Sequence, residues 1–589
     1  MKKNLVRRVS VTHGCAALLF VLLSSGTTWA QPSIAARIDS IRTFFTTEPV
    51  AVDLFGALER ARREDMRADG LQRIASHFRA ASNNVVERYR LTAAYLFSRE
   101  YLPDSTEAIF RAMWRDVPMD PPASEHERIC GATALLLACD ALGLEQKYYN
   151  GKSVSENREE AMSLIGAWMD ASVKEGQQEF DSPTYGPLLF TAMLLNEQFA
   201  FDKAFAKRAG AMASWLFADY FHEYLGGQFG GAHAREEMNS AMQPMISELA
   251  ALAWFYVGDG AQIYAREQYL ATLFTYRPHP TLLRLATSRE KPYEVWEWKR
   301  SADRLRGDTA RVLLAPKYTY VDPLYVMGHV RGGLLQPREQ RTWTLLWSSD
   351  SPQNTLFTMH PYSEAASLTS FTAHSPELVL RENANVDPYF GTITKTVGGS
   401  PYEDVFQYKS TLIALYDIPE IKRYQALVGF FPADVRAFDV DSTATGWITI
   451  DAGDVYIGYY PLAPYTLRPE PMGRRLFSRA GRNGAIVQVV GRGALGSYDD
   501  FRRRLLRTKP DTSAFTSDGV IRYQTVFRDR LECTFGGTLR VNGSPIVSDP
   551  SLLFSSPLLE SRRGSGRMIV RGGARPLVIE PLNALVREE

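Results

Sequence analysis

Two short runs carry side chains whose types and placement suit proton chemistry. Tyr185 closes the run Glu179-Phe-Asp-Ser-Pro-Thr-Tyr at the start of an apolar stretch with helical spacing. About sixty residues earlier, Ser124-Glu125-His126-Glu127-Arg128 opens another helix. A phenol and an imidazole at neighbouring helix openings suit a reaction that neutralises one acidic group and moves one proton. A third run, Gly230-Gly231-Ala232-His233-Ala234-Arg235, adds an imidazole and a guanidinium beside glycines, which permit close backbone approach to a ligand. Each run also has a plainer explanation. Tyr185 can pack behind Ser182-Pro183, Ser124 and Glu127 can form a capping box, and Arg235 can pair with Glu236 or Glu237.

The elements that must position these groups change character along the chain. From about Ile34 to Phe274 the apolar residues recur at helical spacing, as in Asn84–Phe97, Ile129–Leu142, Arg158–Val173, Leu188–Phe199, Ala204–Tyr224, Met245–Val257 and Ala261–Phe274. Several of these helices are apolar on nearly every side, which an inner ring of helices sheathed by an outer ring accounts for better than a single layer does. After His279-Pro280 the period falls towards two. Tyr293–Trp298, Thr342–Trp347, Thr392–Val397, Gly446–Ile450, Asp454–Tyr460, Ala485–Val490 and Arg567–Arg571 read as strands, with one helix over Ser497–Leu506. The expected fold is multidomain α + β. A signal peptide over residues 1–30 precedes an incomplete α/α toroid over 31–300 and a large antiparallel β-sandwich over 301–589, with a small terminal sheet from about 520.

Composition narrows the function classes. Lys2, Lys3, Arg7 and Arg8, the apolar stretch Ala16–Leu23 and Thr28-Trp29-Ala30 read as an export signal cleaved near Ala30, which implies a periplasmic or extracellular protein with no membrane span. Beyond it, 63 Lys and Arg face 66 Asp and Glu, so nucleic acid is not implied. The arginines at 474, 475, 479, 482 and 502–504 form a basic cluster that can draw in a polyanion or simply be solvated. Cys130 and Cys139, nine residues apart on one helix, lie beyond disulfide reach, so stability must come from the core.

An exported helical toroid followed by a sandwich, with Ser124-Glu125-His126 and Ser182-Pro183-Thr184-Tyr185 opening two helices, resembles the toroid-plus-sandwich polysaccharide lyases. These are the heparinase II/III-like, alginate, and chondroitin and hyaluronate lyases. In that group an Asn or His, often within Glu-Asn-His, neutralises a uronate carboxylate while a Tyr works on the proton. By position His126 stands where the Asn would, and Glu127 where the His would. Gly230 to Arg235 is similar to the group's Gly-rich turn ending in Arg, although Glu236-Glu237-Met238 departs from it. A sandwich His is also implied, with His329 and His360 as candidates.

The resemblance implies β-elimination from a uronate-containing, anionic polysaccharide. Tyr185 would be base and acid, His126 and Arg235 would neutralise the carboxylate, and His233 or His329 would share the proton traffic. Glu125, Asp181 and His360 would contact substrate, and neither metal nor organic cofactor is required. Trp114, Trp168, Trp215, Trp254, Trp296 and Trp298 can offer ring faces to sugars, though helical periodicity places most in the core. Two other readings compete. One is an inverting glycoside hydrolase with carboxylates roughly 6.5 to 9.5 Å apart, drawn from Glu179, Asp181 and Glu125. The other is a non-catalytic glycan-binding envelope protein.

Overall fold

The computed structural model describes residues 20–22, 32–47, 53–122, 124–143, 147–300, 314–331, 340–360, 399–400, 402–420, 425–440, 446–470 and 472–589. The strand expected over Thr392–Val397 lies outside these residues. Helices occupy the first half: α1 Ile34–Thr46, α2 Leu54–Arg62, α3 Arg67–Arg79, α4 Val85–Ser98, α5 Asp104–Asp116, α6 Glu125–Leu142, α7 Val154–Glu175, α8 Gly186–Phe199, α9 Lys203–Phe221, α10 Met238–Met242, α11 Glu248–Tyr256, α12 Arg266–Leu273 and α13 Pro280–Thr287. Their starts are chemically marked. Ser33, Asp53, Asn84, Ser124, Ser153, Asp202 and Ser247 each accept a hydrogen bond from a first-turn amide, an interaction worth about 1 kcal/mol per helix.

The packing order of the helices returns to its start. α1 packs on α2, α2 on α4, α4 on α6, α6 on α8, α8 on α12, and α12 on α1, while α3, α7 and α9 pack against α2, α6 and α8. Apolar residues on nearly every side of α8 and α11 follow, because these helices have neighbours all round. The run expected as one helix over Ala261–Phe274 is divided. Gln262–Tyr264 is a strand antiparallel to Phe20–Leu22, inside the stretch read as an export signal, and α12 begins only where the Gln268 side chain accepts from the Ala265 amide. Likewise α9 stops at Phe221, and Tyr224–Leu225 pairs with Gln228–Phe229 across Gly226 and Gly227. Both glycines have positive φ, 53° and 96°, as a two-residue hairpin turn needs.

The change of period falls between Thr287 and Tyr293, one strand ahead of residue 300. Tyr293–Arg300 is already part of a 13-stranded antiparallel sheet. A second sheet of six strands, from Glu403–Tyr408 to Arg482–Gly491, shares an apolar core with it, built from Trp343, Leu345, Trp347, Leu412, Ile450 and Val487 among others. The outer face of the six-stranded sheet carries the helix Tyr498–Leu505 and a four-stranded sheet starting at Val520. The chain does not end there. The strands from Leu552 to Glu588 rejoin the large sheet beside Tyr293–Arg300, and Phe554, Met568 and Leu577 enter the core of the helical part. Sheet and helices are thus joined by a continuous apolar contact. Among the described residues, no helix is long and apolar enough to cross a membrane.

Candidate active site at converging helix starts

The first residues of α2, α4, α6, α8, α11 and α12 line one cavity of about 550 Å³. His126, Tyr185 and Arg235 meet there. Successive side chains at a helix start point roughly 100° apart, so the Ser124-Glu125-His126 run splits: His126 faces the cavity while Glu125 turns inward. The capping box between Ser124 and Glu127 is present and fixes this start. Tyr185 itself occupies the residue before α8, where the Ser182 hydroxyl accepts from its amide at 3.0 Å and donates to the Arg235 carbonyl at 2.9 Å. Arg235 holds a left-handed φ of 56°, a conformation costing a non-glycine residue on the order of 1–2 kcal/mol. That backbone turn directs the guanidinium back over Tyr185.

His126 and Arg235 are held by one buried carboxylate. Glu179 accepts from His126 Nδ1 at 2.7 Å, from the amides of Glu125 and His126 at 3.1 Å each, and faces Arg235 Nε at 3.5 Å. Burial pushes the Glu179 carboxyl up, but His126 and then Arg235 outweigh it and hold the group down at about 2. The His126 ring stacks on Tyr185 with centroids 4.0 Å apart and planes 10° from parallel. Arg235 Cζ lies 5.1 Å from the same ring, and Tyr185 Oη donates to Glu237 Oε1 at 3.1 Å. The result is a half-buried phenol between two nitrogenous side chains with a carboxylate at its oxygen.

Because the folded Glu179 stays ionised well below its ordinary 4.5, it contributes stability that is fully present above about pH 4.5 and is lost as pH falls through about 2. The shift corresponds to about 3 kcal/mol. Urea unfolding of wild type and Glu179→Gln across that window is expected to show the wild type losing about that much more. Parallel profiles would contradict the assignment.

The other expected site residues lie away from this cavity. Glu125 is buried, its carboxylate accepting from Trp168 Nε1 at 3.0 Å, the Glu179 amide at 2.7 Å and Arg300 Nη2 at 3.1 Å. It braces α6 against the sheet rather than facing substrate. Asp181, also left-handed at φ 50°, points into an ion cluster with Lys299 at 3.1 Å and Lys317 at 2.7 Å. His233 donates through Nδ1 to the Asp181 carbonyl at 2.8 Å and pairs by backbone with Arg341; burial pushes its imidazole down. The neighbouring glycines serve the sheet, since a Cβ on Gly230 would come within 2.1 Å of Val326 Cγ1. His329 faces Gln407 across the shared core of the two sheets, where burial pushes it down to about 3, and His360 bonds the Ser400 hydroxyl at 2.8 Å. None of these five lines the cavity. In strands with both faces covered, a histidine finds partners inside the sheets.

Sequence reasoning missed Glu179 as an orienting group and Glu237 as the partner of the phenol. Glu236, between Arg235 and Glu237, pairs with Arg341 at 3.0 Å. It also missed the buried ion cluster in which Asp219, Glu223 and Glu297 join Asp181 around Lys299 and Lys317. The signal was in Tyr293–Arg300, where alternation puts Glu297 and Lys299 on the covered face with Val295, and leaves Trp296 and Trp298 half-buried. Burial pushes Asp219 up to about 7 and Glu223 up to about 8. Asp219, His222 and Glu297, or Asp181, Glu223 and Glu297, bring possible metal-ligating atoms within 4.8 Å of one another. Lys299 and Lys317 already supply cations to those carboxylates.

The arginines of the basic cluster are partly committed as well. Arg475 pairs with Glu470 at 2.8 Å, Arg474 lies over the Phe438 ring, and Arg503 pairs with Asp500 at 2.5 Å. No protein-family model matches the chain, and no curated protein matches it.

Proposed function

We propose that the protein is a polysaccharide lyase that cleaves a uronate-containing chain by β-elimination, on an α/α toroid followed by a β-sandwich, after export from the cytoplasm. The helical packing order that closes on itself and the apolar core between two antiparallel sheets support that architecture. The observation that carries the function is the meeting of His126, Tyr185 and Arg235 in one cavity, with Glu179 behind them.

In this reading the uronate carboxylate lies against His126 and Arg235, which offset charge as the aci-carboxylate develops. Tyr185 Oη takes the proton from the carbon beside the carboxylate while its own proton passes to Glu237. The electron pair left on that carbon becomes the C4–C5 double bond, the C4–O4 bond breaks, and the O4 oxygen takes a proton back through Tyr185. Incubation with a panel of uronate polysaccharides is expected to produce the absorbance of a conjugated 4,5-unsaturated uronate. New reducing ends without that absorbance would exclude elimination.

Replacing His126 separates charge neutralisation from packing. His126→Asn, which keeps a hydrogen-bond donor, is expected to retain activity within about tenfold of wild type, whereas His126→Ala loses about 100-fold or more in kcat/KM. Equal losses in both variants would remove His126 from that role.

One observation favours a hydrolase as the second reading. Glu248 lines the same cavity, and burial followed by the charge of Glu267 pushes its carboxyl up to about 8, so it holds a proton at neutral pH. Glu237 would then be the base. Glu179 and Asp181, the pair suggested by sequence, are engaged in internal ion pairs away from the cavity lining.

A further inference from the structure

The charges along the cavity are unequal in a way that bears on which polymer it accepts. Among the described residues, three guanidinium groups line it, and each already faces a carboxylate: Arg90 with Glu267 at 2.8 Å, Arg266 with Asp53 at 2.7 Å, and Arg235 with Glu179 at 3.5 Å. Six carboxyl groups line the same wall: those of Asp53, Glu87, Glu127, Glu237 and Glu267, and that of Glu248, which burial and the charge of Glu267 keep protonated at neutral pH. Six helix starts point their positive ends inward, which offsets part of this charge. Those ends are largely answered from within, however. Asp53, Asn84, Ser124 and Ser247 cap α2, α4, α6 and α11, and Glu179 takes the amides of Glu125 and His126. His77 lines the cavity as well, and Arg90 and Arg266 are answered by Glu267 and Asp53 of the lining itself, whereas His126 and Arg235 are backed by Glu179, which is not part of the lining. A second anion on the ligand would face carboxylates.

We infer that the polymer bound here carries isolated carboxylates, with one uronate at the His126–Arg235 corner flanked by uncharged sugars, and that sulfated chains and runs of consecutive uronates are disfavoured. The inference rests on the lyase reading for the identity of the anion as a uronate. The carboxylates that repel a second anion can also accept hydrogen bonds from the hydroxyls of neutral sugars, so one set of groups both binds and discriminates.

The test uses Tyr185→Phe, which binds without turning over, and titrates it by calorimetry with unsulfated chondroitin, chondroitin sulfate and polymannuronate. The unsulfated alternating chain is expected to bind at least tenfold more tightly than either of the others. Glu237→Gln, made in the Tyr185→Phe background, is expected to narrow that gap at least threefold. Equal or tighter binding of the sulfated chain or of polymannuronate, or no measurable binding of any of the three, would overturn the inference. Turnover is read separately with the wild type. Discrimination without an unsaturated product leaves the charge argument standing and removes the lyase reading, whereas an unsaturated product formed preferentially from sulfated chains does the reverse.

Discussion

Tyr185→Phe is expected to lower kcat on the best uronate substrate by about 1,000-fold, because the phenolic oxygen is the only atom removed and proton transfer by a positioned group contributes 10²–10⁴-fold. The variant keeps the ring that stacks on His126 at 4.0 Å and lies under Arg235. It loses the 3.1 Å hydrogen bond to Glu237, so stability should change by no more than about 1 kcal/mol. This separation of effects makes the variant informative. Substrate affinity should be nearly unchanged, because the carboxylate contacts come from His126 and Arg235. Unsaturated product appearing at the wild-type rate would remove Tyr185 from the chemistry and require another base for the elimination, whereas new reducing ends without unsaturated product would put the Glu248 and Glu237 reading in front.

The largest expected effect on stability comes from the ion cluster between helices and sheet. Lys317 is 1% exposed and binds Asp181 at 2.7 Å, Glu297 at 3.2 Å and Glu223. Those carboxylates hold its ammonium well above the ordinary lysine range, against the opposing pull of burial. Lys317→Met preserves much of the side-chain volume while leaving the buried carboxylates one cation short. Breaking a buried pair in this way costs about 3–5 kcal/mol, measurable as a shift in the urea midpoint at unchanged slope. Asp181 lies in the same turn as Ser182 and Tyr185, so activity should fall with stability. A loss under about 1 kcal/mol would mean that the remaining carboxylates take up protons at little cost.

Much of the helical half was legible because local signals agreed with one another. In α6 and α7 apolar spacing, a serine before the first turn and a glycine at the end point to the same boundaries within a few residues. The division of Ala261–Phe274 was not legible, since a three-residue strand is made by its partner at Phe20–Leu22 and not by its own periodicity. The return of the final strands to the large sheet was also hidden. Nothing local distinguishes a strand that begins a separate sheet from one that adds beside Tyr293–Arg300.

For the candidate site, the sequence by itself determined that a phenol and an imidazole stand at helix starts, because helix-start chemistry is local: Ser124 and Glu127 are three residues apart, as are Ser182 and Tyr185. Only the tertiary structure decided that Glu179 binds both His126 and Arg235, that Glu237 accepts a hydrogen bond from the phenol, and that Asp181, His233, His329 and His360 look elsewhere. Which face of a helix start meets the cavity depends on rotation about the helix axis. That rotation is set by contacts as distant as Arg300 against Glu125, 175 residues apart along the chain and 3.1 Å apart in space.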